Sequence, residues 1–465
     1  MNETYDLLRR AADHAVHYRA SLANQAVAVP VDPLTLRRRF GVALPDAPTP
    51  PDEVIDELTL AASDGLVATA GPRFFGFVIG GSLPAATAAD MVALGWDQVA
   101  FNATLSPAAA AAEEVAGEWL KDLLGIPASA SVGFVTGAQA ANTVGLAAAR
   151  HHAYAELGWD VERDGLVGAP PVRIVAGVER HATIDRSLRL LGFGTGAIEK
   201  VAADDHGAID LADLERVLSA GHGPSIVCLQ AGNVNTGACD DLRRACEIVH
   251  RHGGWAHVDG AFGLWAAASP RTAHLVSGVE LADSWGCDGH KWLNVPYDSG
   301  FVFCSRPEVH AAAVSYTASY LVGSGGAPGL SDFALESSRR ARGFAVWAAL
   351  RELGRQGAAG LVERTCRLAR RFAGRLASGG VEIVNDVVLN QVLVSVGDDE
   401  FTDRVVGAVQ QEGTCWLGGT TWRGRRLIRI SVSNWSTTDD DIDRSADAIL
   451  RIVAQERDAD RERSR

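Results

Sequence analysis

Short hydrophobic runs alternate with longer amphipathic stretches between about residue 130 and residue 305. Such runs are typical of strands that are buried on both faces. The amphipathic stretches, for example 182–192 and 241–254, have helical periodicity and end at glycine. The alternation predicts an α/β fold with a mainly parallel sheet and helices on both faces. The predicted strands are 131–137, 171–177, 225–232, 255–260 and 300–305.

The pattern changes on either side of this region. Residues 1–29 predict a helix, and the segment 43–54 (ALPDAPTPPDEV) predicts a proline-rich connector. From residue 343 a long helical stretch is followed by strand candidates at 391–396 and 427–433 and by a charged helix from 437. We therefore predict three parts: an N-terminal helical segment (1–75), a large domain (76–342) and a small α+β domain (343–465).

Composition and charge narrow the possible functions. The 465 residues carry a net charge of −14, which argues against a nucleic-acid partner because phosphate backbones need a basic surface. The chain lacks an apolar run of membrane-spanning length and an apolar leader, so we expect a cytoplasmic protein that does not bind membranes. Seven cysteines without a C-x-x-C pair favour reduced, buried thiols over disulfides or a metal site.

Lysine is rare in this chain. Of the 43 basic residues only Lys121, Lys200 and Lys291 are lysines. Lys291 lies between His290 and Trp292 in DSWGCDGHKWLNVPYDSG (283–300), where arginine could supply a charge but not a nucleophilic amine. Loss of water beside Trp285, His290 and Trp292 would favour the neutral amine, which can condense with an aldehyde. The alternative is a lysine whose stem packs on tryptophan.

Three further groups follow predicted strands, and open α/β sheets bind ligands at the carboxyl ends of their strands. The turn of Gly137, Ala138 and Gln139 opens a helix whose backbone N–H groups could hold a phosphate. His181 and Asp259 follow two other strands. Each group has an ordinary alternative: a plain strand-to-helix turn, a helix-capping histidine, or a carboxylate paired with a structural arginine.

Together these groups match the needs of pyridoxal phosphate. The cofactor requires an amine for its aldehyde, a carboxylate that keeps its ring nitrogen protonated, a flat group against its ring and a seat for its phosphate. Lys291, Asp259, His181 and the turn at 137–139 could supply all four. An alternative from a different functional class is a non-catalytic, nucleotide-binding α/β protein in which Lys291 stays unmodified.

Several motifs resemble, in the same order, those of the group II pyridoxal-phosphate-dependent decarboxylases, the relatives of aromatic amino acid and glutamate decarboxylases. The similarity covers roughly residues 60 to 445. It implies fold type I of the pyridoxal-phosphate-dependent enzymes, with a mainly parallel seven-stranded sheet, and a homodimer with active sites at the interface. The motifs are PRFFGFV (72–78), VTGAQAAN (135–142), RHATIDRSLRLLG (180–192), HVDGAFG (257–263) and DGHKW (288–292).

The resemblance also implies roles for individual residues. Lys291 would join the cofactor aldehyde covalently, His181 would stack on the ring and Asp259 would pair with the ring nitrogen. Lys291 and His181 are the implied catalytic residues. Ala138 and Gln139 with His290 would seat the phosphate, and Ala261 would pack under the ring. The remaining implied cofactor contacts are Gly137, Asn233 and Asp288, with Asn235 close to Asn233 in sequence.

The chain departs from the family in one respect. Aromatic amino acid decarboxylases carry, in a mobile loop after the lysine, a tyrosine that protonates the carbanion, whereas residues 321–344 contain none and Phe333 is the nearest aromatic. His181, Tyr320 or a partner-subunit residue could donate the proton instead. Alternatively, oxygen could intercept the carbanion and give an aldehyde.

We predict a pyridoxal-phosphate-dependent decarboxylase of an aromatic or apolar L-amino acid. The alternatives are a decarboxylation-coupled aldehyde synthase and another lyase or aldolase on the same fold. Candidate substrate-pocket residues are Phe75, Phe77, Trp96, Phe101 and Trp265. Candidate carboxylate-binding residues are Arg339, Arg340, Arg342 and Arg429, although surface or interface ion pairs are the more common role of such arginines.

Overall fold

The computed structural model describes residues 2–28, 31–316 and 329–463. The chain forms two compact units. The larger unit consists of Gly80–Arg370 and Asn385–Val392, and the smaller unit consists of Met1–Ile79, Arg371–Val384 and Leu393–Arg465. The domain boundaries expected at residues 75 and 342 stay a prediction.

The larger unit is built on a seven-stranded sheet. Its strands are β1 Ser131–Val135, β2 Arg173–Gly177, β3 Ile198–Val201, β4 Ser225–Gln230, β5 Trp255–Asp259, β6 Ser284–Asp288 and β7 Gly300–Cys304. They lie in the order β1-β7-β6-β5-β4-β2-β3. Only β7 runs antiparallel to its neighbours, β1 and β6. The predicted α/β fold with a mainly parallel seven-stranded sheet is confirmed.

Helices follow the strands, as the alternating pattern predicts. Every residue of β4, β5, β6 and β7 is buried, as expected for strands covered on both faces. The helices are α1 Asn2–Ser21, α2 Pro33–Phe40, α3 Pro51–Ala62, α4 Pro84–Trp96, α5 Pro107–Leu124, α6 Ala138–Glu156, α7 Val161–Asp164, α8 Ala182–Leu190, α9 Leu211–Ser219, α10 Leu242–Arg251, α11 Pro307–Val314, α12 Gly343–Ser378, α13 Asp399–Glu412 and α14 Asp439–Arg463.

Some elements escape the hydrophobic pattern. Strand β3 has two charged residues among its four and lies at the edge of the sheet, and β6 contains Gly286 and ends in Asp288, so neither forms a clear apolar run. The connector predicted at 43–54 ends earlier than expected, because α3 begins at Pro51. Proline suits the first turn of a helix, where its missing N–H has no partner to lose.

The smaller unit contains a second sheet. Its strands are β8 Glu382–Ile383, β9 Gln391–Ser395, β10 Gly418–Trp422 and β11 Arg425–Ser431, in the order β10-β11-β9-β8. Leu393, Trp422 and Leu427 pack together in its core. The predicted strands at 391–396 and 427–433 correspond to β9 and β11. Strand β10 escapes prediction because its sequence, GGTTW, has a single large apolar residue.

None of the helices in the described ranges combines the length and the apolar character that a membrane crossing requires.

Candidate active site

A cavity of about 300 Å³ lies at the carboxyl ends of the central strands of the larger unit. Strands β1, β2, β4, β5 and β6 run in one direction, so the residues that follow them meet at the same edge of the sheet. The cavity therefore gathers side chains that are far apart in sequence. It is lined by Thr136, Gly137, Ala138, Gln139, His181, Thr183, Gln230, Gly232, Val234, Asp259, Ala261, Phe262, Asp288, His290 and Lys291.

Lys291 lies in the connection between β6 and β7. Its Nζ is 2.9 Å from Oδ2 of Asp288, whose side chain is buried. The indole N–H groups of Trp285 and Trp292, the expected neighbours of the amine, donate instead to Val279 O and to Thr365 Oγ1. The polar partner of the amine in the described contacts is therefore a carboxylate.

The backbone around Lys291 is held on two sides. The N–H groups of Gly289 and His290 both donate to the carbonyl of Ser299, over 3.0 and 3.2 Å, and close the connection. On the other side, a Cβ at Gly80 would lie only 1.9 Å from the carbonyl oxygen of Lys291. Only glycine permits this approach, so the contact with Gly80 limits where the backbone of Lys291 can lie.

Asp259 ends β5 and is buried at the cavity wall. Its Oδ1 accepts from the backbone N–H of Ala261 over 3.2 Å, and its Oδ2 accepts from the hydroxyl of Thr183 over 3.4 Å. In the described ranges no arginine lies within ion-pair distance of this carboxylate. The structural ion pair, which was the ordinary alternative for Asp259, is absent there.

His181 caps helix α8 and also lines the cavity. Its Nδ1 accepts from the backbone N–H of Thr183 over 3.2 Å, and the hydroxyl of Thr183 lies 2.9 Å from the same nitrogen. Because Nδ1 acts as an acceptor, a neutral imidazole carries its proton on Nε2. The capping role and the catalytic role suggested for His181 are therefore compatible.

The turn before α6 begins with a glycine and lies at the N-terminus of that helix. A Cβ on Gly137 would lie 2.9 Å from Cε1 of His290 and 3.1 Å from Oδ1 of Asp288. The N–H of Ala138 donates to that same Oδ1 over 2.5 Å. The carboxamide of Gln139 turns away to donate to Ser187 Oγ over 2.9 Å, so Gln139 offers a ligand its backbone.

His290 lies between the turn at Gly137 and the β6–β7 connection that carries Lys291. Its Nδ1 accepts from Ser299 N–H over 3.1 Å, its Nε2 is 3.5 Å from Asp288 Oδ1 and its ring stacks on Tyr297. Burial lowers the pKa of His290, because removing water penalises the imidazolium form.

The structure does not bring Asn233 to the cavity wall. Its carboxamide donates to Glu179 O over 3.2 Å and accepts from the N–H groups of Asn235 and Thr236, so it organises the loop after β4. The neighbouring Gly232 and Val234 line the cavity in its place. Sequence reasoning also missed Thr183, Gln230 and Phe262, although Thr183 lies only two residues after His181.

The candidate carboxylate-binding arginines of the larger unit have carboxylate partners of their own. Arg339 makes two 2.7 Å bonds to Glu113, and this pair is almost fully buried. Arg340 pairs with Asp90, and Arg342 pairs with Asp298. None of the three lines the cavity, and each forms the kind of ion pair that is the more common role of such arginines. Arg429 lies on β11 opposite Gly418.

The aromatic side chains expected in a substrate pocket are also absent from the cavity wall. Phe75 and Trp265 are buried, whereas Phe77 and Trp96 are more than half exposed. Phe101 is not among the lining residues either, and Phe262 takes the aromatic position at the wall. Two aromatic residues were expected near the loop that follows the lysine. Tyr320 lies outside the described residues, and the ring of Phe333 packs against His310.

The residues of the cavity fit pyridoxal phosphate. Lys291 offers the amine, Asp259 a buried carboxylate without an arginine partner in the described ranges, and His181 a flat ring with a fixed orientation. The Gly137 turn lies at the start of a 19-residue helix, and the absence of a side chain there lets His290 and Asp288 approach the helix start closely. One feature is less favourable, since the carboxylate of Asp288 lies at the same helix start.

Comparisons with known proteins agree with this fit. Residues 33–396 match the model of the pyridoxal-dependent decarboxylase conserved domain. The aromatic-L-amino-acid decarboxylase of Bacillus atrophaeus is 26% identical over 451 residues, which cover 93% of this chain and 92% of that protein. The 4-hydroxyphenylacetaldehyde synthase of Rhodiola rosea is 26% identical over 84% of this chain and 82% of its own length.

A solved structure of Oryza sativa TDC with PLP and tryptamine superposes with a TM-score of 0.91, covers 98% of both chains and is 24% identical, which supports the fold. The family match extends over well more than half of the chain. This chain therefore belongs to the pyridoxal-dependent decarboxylase family and is a pyridoxal-phosphate-dependent carboxy-lyase.

Proposed function

We propose that the protein decarboxylates an aromatic or apolar L-amino acid and releases the amine. The observation that carries this proposal is the meeting of Lys291, Asp259 and His181 in one cavity at the carboxyl edge of the sheet. The aromatic preference is supported by the names of its relatives, which include an aromatic-L-amino-acid decarboxylase and a tryptophan decarboxylase. Phe262 at the cavity wall supplies an apolar surface for such a side chain.

Each residue has a defined task in this proposal. Lys291 would hold the cofactor through its Nζ and would give up that place when the amino group of the substrate binds. When bound, pyridoxal phosphate supplies the electron sink for the pair released as the carboxylate leaves as carbon dioxide. Asp259 would accept a hydrogen bond from the ring nitrogen and would favour its protonated form, because a nearby carboxylate stabilises a cation.

His181 orients the reacting groups and can move a proton. With Nδ1 occupied as an acceptor, the protonated Nε2 is the donor atom that the ring presents. We assign to this atom the proton that reaches the α-carbon after carbon dioxide leaves, given up by a ring that has first taken a second proton at Nδ1, where the Thr183 hydroxyl 2.9 Å away can accept, and that returns to the neutral form. Its fixed position removes the orientational cost that a freely rotating ring would add.

A second candidate function is decarboxylation coupled to oxidation by molecular oxygen, which releases an aldehyde, ammonia and hydrogen peroxide. It is favoured by the absence of tyrosine from residues 321–344 and by the similarity to a 4-hydroxyphenylacetaldehyde synthase. The two candidates use the same residues to hold the cofactor. They differ only in whether a proton or molecular oxygen reaches the α-carbon first.

We further propose that the protein is a homodimer. Helix α4 exposes Met91, Val92, Leu94 and Trp96, and Ala86 is its one buried residue. An exposed apolar surface of this kind is typical of an interface. A second copy of the chain is the proposed occupant. Light scattering should give twice the 49.0 kDa of one chain. The double variant Leu94→Asp, Trp96→Asp should have the mass of one chain. A wild-type protein with the mass of one chain would refute the dimer.

The decisive experiment incubates the holoenzyme with single amino acids under air and under nitrogen. Carbon dioxide, amine, aldehyde and peroxide are measured together. Equal carbon dioxide and amine in both atmospheres supports the main proposal, while aldehyde and peroxide under air supports the second. Lys291→Arg keeps the charge but lacks the primary amine, so it should lose both the absorbance near 420 nm and turnover. Absence of carbon dioxide from every amino acid would refute both candidates.

A further inference from the structure

The carboxylate of Asp288 lies where a phosphate would bind. Helix α6 starts at Ala138, and its N-cap residue, Gly137, has no side chain that could satisfy the free N–H groups. Asp288, at the end of β6, supplies the missing cap from a different strand, because its Oδ1 accepts from Ala138 N–H over 2.5 Å. The same carboxylate holds Lys291 through Oδ2.

Each N–H group has one hydrogen to donate. While Asp288 accepts from Ala138, that N–H is not available to a phosphate oxygen. The side chain of Asp288 has little freedom to withdraw, since it is only 2% exposed and is held at both oxygens. A phosphate at this helix start must therefore share the position with a carboxylate or displace it.

The charges of the cavity make this arrangement unfavourable for a dianion. Among the described residues that line the cavity, Lys291 is the only lysine or arginine, whereas Asp259 and Asp288 are both carboxylates. His290 adds little positive charge, because burial favours its neutral form. The phosphate would enter a cavity that already has more negative than positive groups, and like charges in such a site repel strongly.

We propose that Asp288 competes with the phosphate group of the cofactor and thereby limits the affinity of this enzyme for pyridoxal phosphate. The proposal rests on the phosphate seat at Ala138 and Gln139 assigned above. It makes Asp288 a determinant of cofactor retention, and it predicts a holoenzyme that exchanges its cofactor with solution more readily than a neutral side chain at position 288 would allow.

The test uses the full-length protein stripped of cofactor and compares wild type with Asp288→Asn. Asparagine keeps the shape and an acceptor oxygen for Ala138 N–H but removes the charge. Pyridoxal phosphate and pyridoxal, which has the same aldehyde without the phosphate, are titrated against each protein by absorbance near 420 nm. We expect Asp288→Asn to bind pyridoxal phosphate at least about tenfold more tightly, with less than about a threefold change for pyridoxal.

Inorganic phosphate provides a second readout that involves no covalent chemistry. It should raise the melting temperature of Asp288→Asn more than that of wild type. Asp241→Asn is the matched control, since Asp241 caps α10 through Arg244 N–H, lies outside the cavity and should leave both affinities unchanged. If Asp288→Asn destabilises the fold, Asp288→Ser, which retains a smaller acceptor, should show the same selectivity.

Three results would overturn the inference: unchanged affinity for pyridoxal phosphate, weaker affinity, or an equal gain for both aldehydes. Each would assign Asp288 a role toward Lys291 alone. None of them would affect the proposed decarboxylation, which depends on Lys291 and is tested by the Lys291→Arg variant.

Discussion

The backbone N–H of Thr183 donates to Nδ1 of His181 over 3.2 Å, and this contact decides which ring nitrogen carries the proton. The hydroxyl of Thr183 adds a second tie, because it reaches Oδ2 of Asp259 over 3.4 Å. One threonine therefore touches both the residue proposed to stack on the cofactor ring and the residue proposed to bind its nitrogen. Neither contact places Thr183 on the reacting atoms, so it is a positioning residue.

Thr183→Val should slow turnover without abolishing cofactor binding. Valine keeps the size and the backbone N–H but loses the hydroxyl, and a lost hydrogen bond of this kind costs about 1 kcal/mol, or roughly five- to tenfold in rate. We expect kcat to fall by that factor, KM to change little and the pH profile of kcat to shift. Thr183→Ser should restore wild-type behaviour. An unchanged pH profile in Thr183→Val would show that the hydroxyl has no part in positioning.

Glu113→Gln should destabilise the larger unit. The substitution leaves the guanidinium of Arg339 buried without its carboxylate, and breaking such a pair costs about 3–5 kcal/mol. The measurement is the melting temperature of the holoenzyme, which should fall by several degrees. Glu113→Gln combined with Arg339→Met should recover part of the loss, because no charge then remains buried. Asp90→Asn, which breaks the more exposed pair with Arg340, should cost less than about 1 kcal/mol.

The single variant Arg339→Met tests the role of Arg339 in substrate binding. Arg339→Met should lower the melting temperature and leave KM for the amino acid unchanged. A raised KM at an unchanged melting temperature would instead place Arg339 at the substrate.

His250 should contribute a pH-dependent part of the stability. Its hydrogen bond to Asp283, 2.9 Å long, raises the pKa of His250. A group whose pKa is raised by folding stabilises the native state fully below its ordinary value of about 6.5, and this contribution is lost as the pH rises through the higher folded-state value. The melting-temperature difference between wild type and His250→Gln should therefore be larger near pH 6 than near pH 8.5. An equal difference at both values would contradict the assignment.

Gly80→Ala should reduce cofactor occupancy. The new methyl group would lie 1.9 Å from the carbonyl oxygen of Lys291, so the lysine backbone must shift. We expect lower absorbance near 420 nm per chain and a higher concentration of pyridoxal phosphate for half-saturation. Gly360→Ala is the matched control, because a Cβ there meets no atom within 4 Å. Full occupancy in Gly80→Ala would show that the contact is not limiting.

Much of the larger unit could be predicted from sequence because its signals are local. The strands rich in apolar residues, β4 and β5 among them, were predictable, and so was the meeting of Lys291, Asp259 and His181 in one cavity. Lys291 was conspicuous because lysine is so rare in this chain. These are properties of single segments and need no knowledge of the fold.

The remaining features depend on contacts between distant segments. Nothing in the sequence indicates that Asp288 caps a helix 150 residues earlier, or that Arg339 pairs with Glu113. Asn233 shows how contacts within a loop can redirect a side chain. It occupies the expected position after β4, but its amide satisfies the backbone of its own loop, and the neighbouring Val234 lines the cavity.

The reversed direction of β7 has a consequence for how this enzyme tolerates change. Because β6 and β7 are hydrogen-bonded neighbours running in opposite directions, the lysine connection must leave one strand and return beside it within residues 289–299. The connections between the other strands of the sheet are longer, so we expect them to accept added length more readily than this one. An insertion scan of the gene should find the chain intolerant of single-residue gains or losses between Asp288 and Gly300, since any such change moves the amine relative to Asp259.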